Sequence, residues 1–168
     1  MINRTAEYWI RHLKLEQHPE GGYYTRVYSS DLQIKQNTLP KNFYDDRPIC
    51  THIYYLLTQK EFSAFHRIQS DELWHFYDGD GLKIYEIAKD ASLIEHKLGL
   101  DLESGQLPFC IIKAGNWFAA DLMWNSKYSL VGCSVSPGFD FAEFEMAEKE
   151  KLITQYPEYK DLIRRFTK

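Results

Sequence analysis

The sequence is poor in the features that mark nucleic-acid, membrane and secreted proteins. Its 20 Lys and Arg stand against 24 Asp and Glu, for a formal net charge of −4. The basic residues form no cluster, so no nucleic-acid footprint is present. No apolar run approaches the ~18 residues that a membrane span needs. The opening MINRTAEYWIRHLKL lacks the apolar core of a secretion signal. A cytoplasmic protein with no membrane partner is expected. Only three cysteines occur, Cys50, Cys110 and Cys133. They are widely spaced with no CxxC pair, which reads as buried thiols in a reducing compartment. There is no P-loop, GxGxxG or GxSxG, no repeat and no low-complexity stretch. Asp78-Gly79-Asp80-Gly81 lacks the rest of an EF-hand loop and reads as a hairpin turn.

Aromatic residues are abundant: 12 Tyr, 10 Phe and 4 Trp in 168 residues. Aromatics suit strands and line small-molecule pockets, so the composition leans to β-structure around a cavity. The length fits one domain over residues 1–168. Thr5 predicts an N-cap for a helix from Ala6 to about Leu15. His18-Pro19-Glu20-Gly21-Gly22 breaks that helix and shapes a loop. Tyr23 to Tyr28 alternates as a strand with Tyr24, Arg26 and Tyr28 in one phase. Residues 29–48 form the longest loop, of a kind that often covers a site. From Ile49 to Val135 come further short strands, eight to ten in all, and after Pro137-Gly138 a helix is expected from about Glu143 to Gln155. This pattern predicts an all-β sandwich or barrel with short helices at both ends.

The chemistry concentrates in Ser63 to Gly81. Alternation places Glu72, Trp74 and Phe76 on one face of a strand and Leu73, His75 and Tyr77 on the other. Before the turn at Gln69-Ser70-Asp71, Ala64, His66 and Ile68 share a face. If His66 and Glu72 face one interior, they make an acid–base or metal-binding pair in an aromatic-walled cavity. A hairpin centred near Lys60 places Tyr54 opposite His66, as an acid beside a base, and His52 opposite Ile68. His75 falls outside the cavity, as at an interface. Arg67 faces away from His66, which suits pairing with an acid. Trp117 and Phe118 are candidate cavity walls, and Glu20 and Arg26 are candidate ligand contacts.

These residues resemble the cupins. His66, Glu72 and Gly79 match the first cupin motif, with Ile68 in the place of its second histidine. Gly115 matches the second motif, with Lys113 in place of proline and Phe118 in place of histidine. Two of the four usual metal ligands are therefore missing. The chain is most similar to the cupin-like family catalogued as domain of unknown function 985. The similarity rests on His18-Pro19-Glu20-Gly21-Gly22-Tyr23-Tyr24, Ile53-Tyr54-Tyr55-Leu56-Leu57, Phe65-His66-Arg67, Asp71-Glu72-Leu73-Trp74-His75, Ala114-Gly115-Asn116-Trp117 and Ser136-Pro137-Gly138-Phe139-Asp140-Phe141.

The resemblance implies a double-stranded β-helix (jelly-roll barrel), a homodimer and no established activity. Its look-alikes include sugar-nucleotide epimerases that work without metal. Three readings follow. One is a metal-independent epimerase or isomerase acting on a carbohydrate-like ligand, needing no cofactor. It has His66 as base, Glu72 as its orienting partner and Tyr54 as acid, while Trp74, Phe76 and Trp117 stack on the ligand. The second is a metal enzyme with a rebuilt shell of His66, Glu72 and His52. The third is a binding module that turns nothing over.

Overall fold

The computed structural model describes residues 4–168. Helix α1 (Ala6–Leu13) starts at the N-cap Thr5, whose hydroxyl accepts from the Tyr8 N–H, and Lys14 in the left-handed region stops it. The strands follow in order: β1 (Glu16–Gln17), β2 (Tyr23–Ser29), β3 (Gln33–Ile34), β4 (Arg47–Pro48), β5 (Thr51–Thr58), β6 (Ser63–Arg67), β7 (Asp71–Gly79) and β8 (Leu82–Ile87). They continue with β9 (Leu93–Leu98), β10 (Phe109–Ile112), β11 (Trp117–Leu122), β12 (Tyr128–Ser136) and β13 (Glu145–Met146), and the helices α2 (Lys149–Gln155) and α3 (Lys160–Arg165) close the chain. Four of the 13 strands are two-residue pieces, so nine longer ones remain, within the expected eight to ten.

Two antiparallel sheets form the body, one in the order β1-β2-β5-β12-β7-β10 and the other β13-β6-β11-β8-β9; β3 and β4 pair separately. The inner faces meet in one core of Tyr55, Leu57, Trp74, Leu82, Ile84, Leu98, Ile112, Phe118, Ala120, Val131 and Cys133. Strand alternation puts every second side chain there, and burial of each large one stabilises the fold by about 1.5–3 kcal/mol. Helix α1 packs on Leu56, Tyr128 and Leu130 on the outer face of the six-stranded sheet. Helices α2 and α3 cover Phe65, Ile87, Trp117 and Ala119 behind the other sheet. This is the all-β jelly roll with short terminal helices that the sequence led us to expect.

The structure revises three local expectations. Strands β5 and β6 form no hairpin: β5 pairs with β2 and β12, and β6 with β11 and β13. Asp78-Gly79-Asp80-Gly81 is likewise a turn between sheets, since β7 and β8 belong to different ones. Turn residues signal a reversal of direction, and in this topology the reversal carries the chain across the barrel. The helix expected from about Glu143 begins at Lys149, as α2, because Glu145 and Met146 extend the edge of the five-stranded sheet by pairing with Arg67 and His66.

Candidate functional site

The pocket lies between the sheets, where the inward faces of β2, β5, β6, β7 and β12 converge. Its walls include Tyr24, Ile53, Tyr55, Ile68, Trp74 and Val135, and it encloses about 40 Å³. That is room for about three water molecules.

Glu20 reaches this pocket from the loop between β1 and β2. The loop closes through His18 N–H to Gly22 carbonyl (3.0 Å) and Gly21 N–H to His18 carbonyl (3.0 Å). Gly21 has φ +119°, and a Cβ there would run into the Phe62 carbonyl. Only glycine permits that approach. The loop is bound to β6 by Ala64 N–H donating to the Glu20 carbonyl at 2.9 Å.

The Glu20 carboxylate is buried and accepts from the Ser63 hydroxyl at 2.9 Å. Its Oε2 lies 3.1 Å from His66 Nε2 and 3.3 Å from His18 Nδ1. The His66 Nδ1 is 2.7 Å from the Ala64 carbonyl. A carbonyl only accepts, so Nδ1 carries a hydrogen and Nε2 is the nitrogen turned to Glu20. Burial pushes the Glu20 carboxyl up, but the charges on His66 and His18 and the Ser63 hydroxyl outweigh it and hold the group at about 2. Burial lowers the affinity of the His66 imidazole for a proton, and Glu20 restores part of it.

Glu72, on β7, faces the same cavity. Burial pushes its carboxyl up to about 8, with the negative Glu20 adding to the effect and the Cys133 thiol beside it opposing. Burial therefore favours the protonated form of Glu72 at neutral pH. Two carboxyl groups in one pocket thus hold opposite protonation states.

Two residues of the segment following β12 roof the site, Phe139 and Phe144. The Phe144 ring lies 5.2 Å from that of His66, and Phe141 and Phe144 lie 5.9 and 5.8 Å from His18. The buried ion pair Arg47–Glu143 pins this segment, with Arg47 Nε 3.3 Å from Glu143 Oε2 and a second, shorter contact from Nη2 to Oε1. The cover is therefore the 139–144 segment. The long 29–48 loop supplies no lining residue; it contributes Arg47 as the anchor.

Among the residues singled out from sequence, His66, Glu72, Trp74, Glu20 and Arg26 line the pocket. Phe118 packs its ring 4.0 Å from that of His66. Phe76 packs against the core outside the pocket lining. Tyr54 lies on the outer face of its sheet, 5.9 Å from the Tyr77 ring, because β5 and β6 are in separate sheets; Tyr55 faces the cavity instead. His52 is on that outer face too, 2.7 Å from the Ser134 hydroxyl and 3.0 Å from that of Tyr77. The set His66, Glu72 and His52 is therefore not assembled. Trp117 points away from the cavity under α2 and α3, with the Arg67 guanidinium 4.5 Å above its ring. Arg67 pairs with Glu145 at 2.7 Å. The carboxylate beside His66 is Glu20, where sequence spacing had suggested Glu72.

The donor set does not fit the cupin metal. Ile68 and Phe118 occupy two ligand positions, and no three His, Cys, Asp or Glu side chains among the described residues are arranged to hold an ion.

Residues 7–147 match the family model described as "Cupin superfamily (DUF985)". The structure is similar to a hypothetical protein from Leishmania major, with TM-score 0.90, 32% identity and coverage of 98% of this chain and 99% of that one. It is similar as well to a protein from Shewanella oneidensis, with TM-score 0.88, 36% identity and 98% of both chains covered. Oxalate decarboxylase from Bacillus subtilis shares the fold at TM-score 0.54 and 10% identity, over 89% of this chain and 36% of that one. No protein of curated function matches the sequence.

Proposed function

This chain belongs to the cupin superfamily, in the family of domain of unknown function 985, and on that premise we propose that it binds a small molecule and moves a proton on it, as an isomerase or epimerase does. One observation carries the reading: Glu20 and Glu72 share a buried cavity, the first held ionised by His66 and His18 and the second held protonated by burial. Groups whose proton affinities are driven apart in this way are suited to act as base and acid.

The Glu20–His66 pair is the base. The Ala64 carbonyl fixes the ring by holding Nδ1–H, which leaves Nε2 of the neutral imidazole as the atom that takes a proton from a carbon of the ligand, with Glu20 Oε2 at 3.1 Å stabilising the imidazolium that forms. Glu72 is the acid that returns a proton at a second position. Glu20, His66 and Glu72 are buried from bulk water, which strengthens each of these electrostatic effects. No step is routed through a metal, because the donor set does not fit one.

The test is deuterium wash-in. A panel of small carbonyl compounds is incubated with the protein in D₂O and followed by proton NMR. The proposal expects exchange at a carbon next to the carbonyl, lost in His66→Ala while the fold survives. Binding without exchange on any panel member would favour a module that turns nothing over. The covered pocket, with room for about three waters, is the observation on that side.

We also propose that two copies pair through the outer face of the six-stranded sheet. There Tyr77, Phe109 and Ile111 are 45%, 39% and 36% exposed, around His75. Sedimentation of the wild type and of Phe109→Glu tests this: a dimer that the substitution dissociates is expected.

A further inference from the structure

The pocket has an inner end, a wall and a mouth of different chemistry, and together they specify a kind of ligand. The inner end holds Glu20, His66 and Glu72. Along the wall, the polar atoms are largely committed to the protein. The Tyr55 hydroxyl donates to the Gly21 carbonyl at 2.9 Å, and the Thr51 hydroxyl accepts from the Phe139 N–H at 3.0 Å. What remains of the wall is mostly apolar or aromatic: Ile53, Ile68, Val135, Phe139 and Phe144. Of the wall's polar groups the buried Trp74 indole N–H is left without a partner, so a polyhydroxylated ligand would have to strip water from each hydroxyl and find few partners along the wall, which costs free energy for every group left unpaired.

Arg26 lines the pocket from β2 and is itself exposed. At this position its strand pairs with β5, Arg26 opposite Ile53. Among the described residues Arg26, like Arg11 and Arg164, has no carboxylate within ion-pair distance, whereas Arg4, Arg47, Arg67 and Arg165 each have one; of the three without a partner, Arg26 is the one that lines the pocket. A guanidinium free of a protein partner presents its fork of donors to a carboxylate or similar anion.

Resting on the pocket reading above, we propose that the ligand is a compact organic acid with an apolar or unsaturated body, and not a sugar. Its anionic group meets Arg26 at the mouth, its body lies against the aromatic wall, and a carbon or carbonyl group reaches Glu20, His66 and Glu72. The enclosed space of about 40 Å³ favours a short body, a few heavy atoms long.

Three probes of similar size separate the alternatives: crotonate, its neutral isostere crotonamide, and the four-carbon polyol erythritol. Each is titrated into the full chain while the His66 imidazole and Trp74 indole resonances are followed by NMR. The expected result is that crotonate shifts both sets and binds about tenfold more tightly than crotonamide, that erythritol shifts neither, and that Arg26→Gln removes the advantage of the acid. The acid class is overturned if crotonate and crotonamide bind alike, if Arg26→Gln leaves their ratio unchanged, or if erythritol binds as well as crotonate. In those cases shifts at His66 would leave the pocket reading standing. If none of the three perturbs His66, both the acid class and the pocket reading fail.

Discussion

Glu20 Oε2 sits 3.1 Å from His66 Nε2, with both side chains buried and both contributed by segments far apart in the chain. A buried carboxylate is tolerated only when paired and hydrogen-bonded. Here two imidazoles and the Ser63 hydroxyl do that. The contact makes the β1–β2 loop part of the site as well as part of the fold.

Glu20→Gln removes the carboxylate and leaves a near-isosteric amide. The folded-state value of Glu20 is held at about 2, below the ordinary 4.5. Its stabilisation is therefore full above about pH 4.5 and is lost as pH falls towards 2. Urea denaturation is expected to find the variant less stable at pH 7 by about 2–4 kcal/mol. The gap should narrow steadily below pH 4.5. A pH-independent difference would mean that Glu20 does not ion-pair.

Glu72 has the opposite sign. Its folded-state value is raised from 4.5 to about 8, so the folded protein holds a proton that the unfolded chain releases between these values. The wild type should lose stability as pH rises from about 4.5 to about 8 and level off beyond. Glu72→Gln mimics the protonated acid. It should match the wild type near pH 4.5 and exceed it at pH 9 by an amount on the order of a few kcal/mol. Parallel stability curves for the two proteins would show Glu72 to be ionised in the fold.

How far the sequence reaches is instructive at these two residues. Alternation from Ser63 to Gly81 was enough to turn His66, Glu72 and Trp74 inward, because a strand has a fixed period. Glu20 was legible only as a charged residue beside two glycines. Loops carry no period, and nothing in the spacing says that Gly21 packs on the Phe62 carbonyl. Tyr54 is placed opposite His66 by sequence for a different reason. Sequence proximity suggests a hairpin between β5 and β6, whereas the fold sends these two strands to different sheets. The aromatic run Phe139, Phe141, Phe144 was visible, but its position over the pocket depends on Arg47 and Glu143, a pairing no local pattern signals.

Arg47→Met should cost about 3–5 kcal/mol, since it strands the buried Glu143 carboxylate. It should also loosen the roof. Cys133 lines the pocket and is buried, so in a background with Cys50 and Cys110 replaced by serine, its labelling by a thiol reagent reports opening. Labelling faster than global unfolding is expected in Arg47→Met. Labelling that only tracks unfolding would show that the ion pair does not hold the roof.

Gly79→Val should mainly damage folding. Gly79 has φ +94°, and a Cβ there would approach the Tyr128 carbonyl oxygen to 2.5 Å. A β-branched residue in that conformation is expected to cost roughly 2–4 kcal/mol. Thermal melts measure it, and a melting temperature equal to that of the wild type would contradict the assigned turn.

One cavity holds an ionised and a protonated glutamate. Carbon-13 NMR of the side-chain carboxyls, titrated from pH 2 to 9 and assigned with Glu20→Gln and Glu72→Gln, tests it without any ligand. The account predicts that the Glu20 signal stays that of a carboxylate down to the lowest pH at which the fold persists, and that Glu72 titrates near 8. Both signals titrating together near 4.5 would contradict it and remove the acid–base pair on which the proposed proton transfer stands.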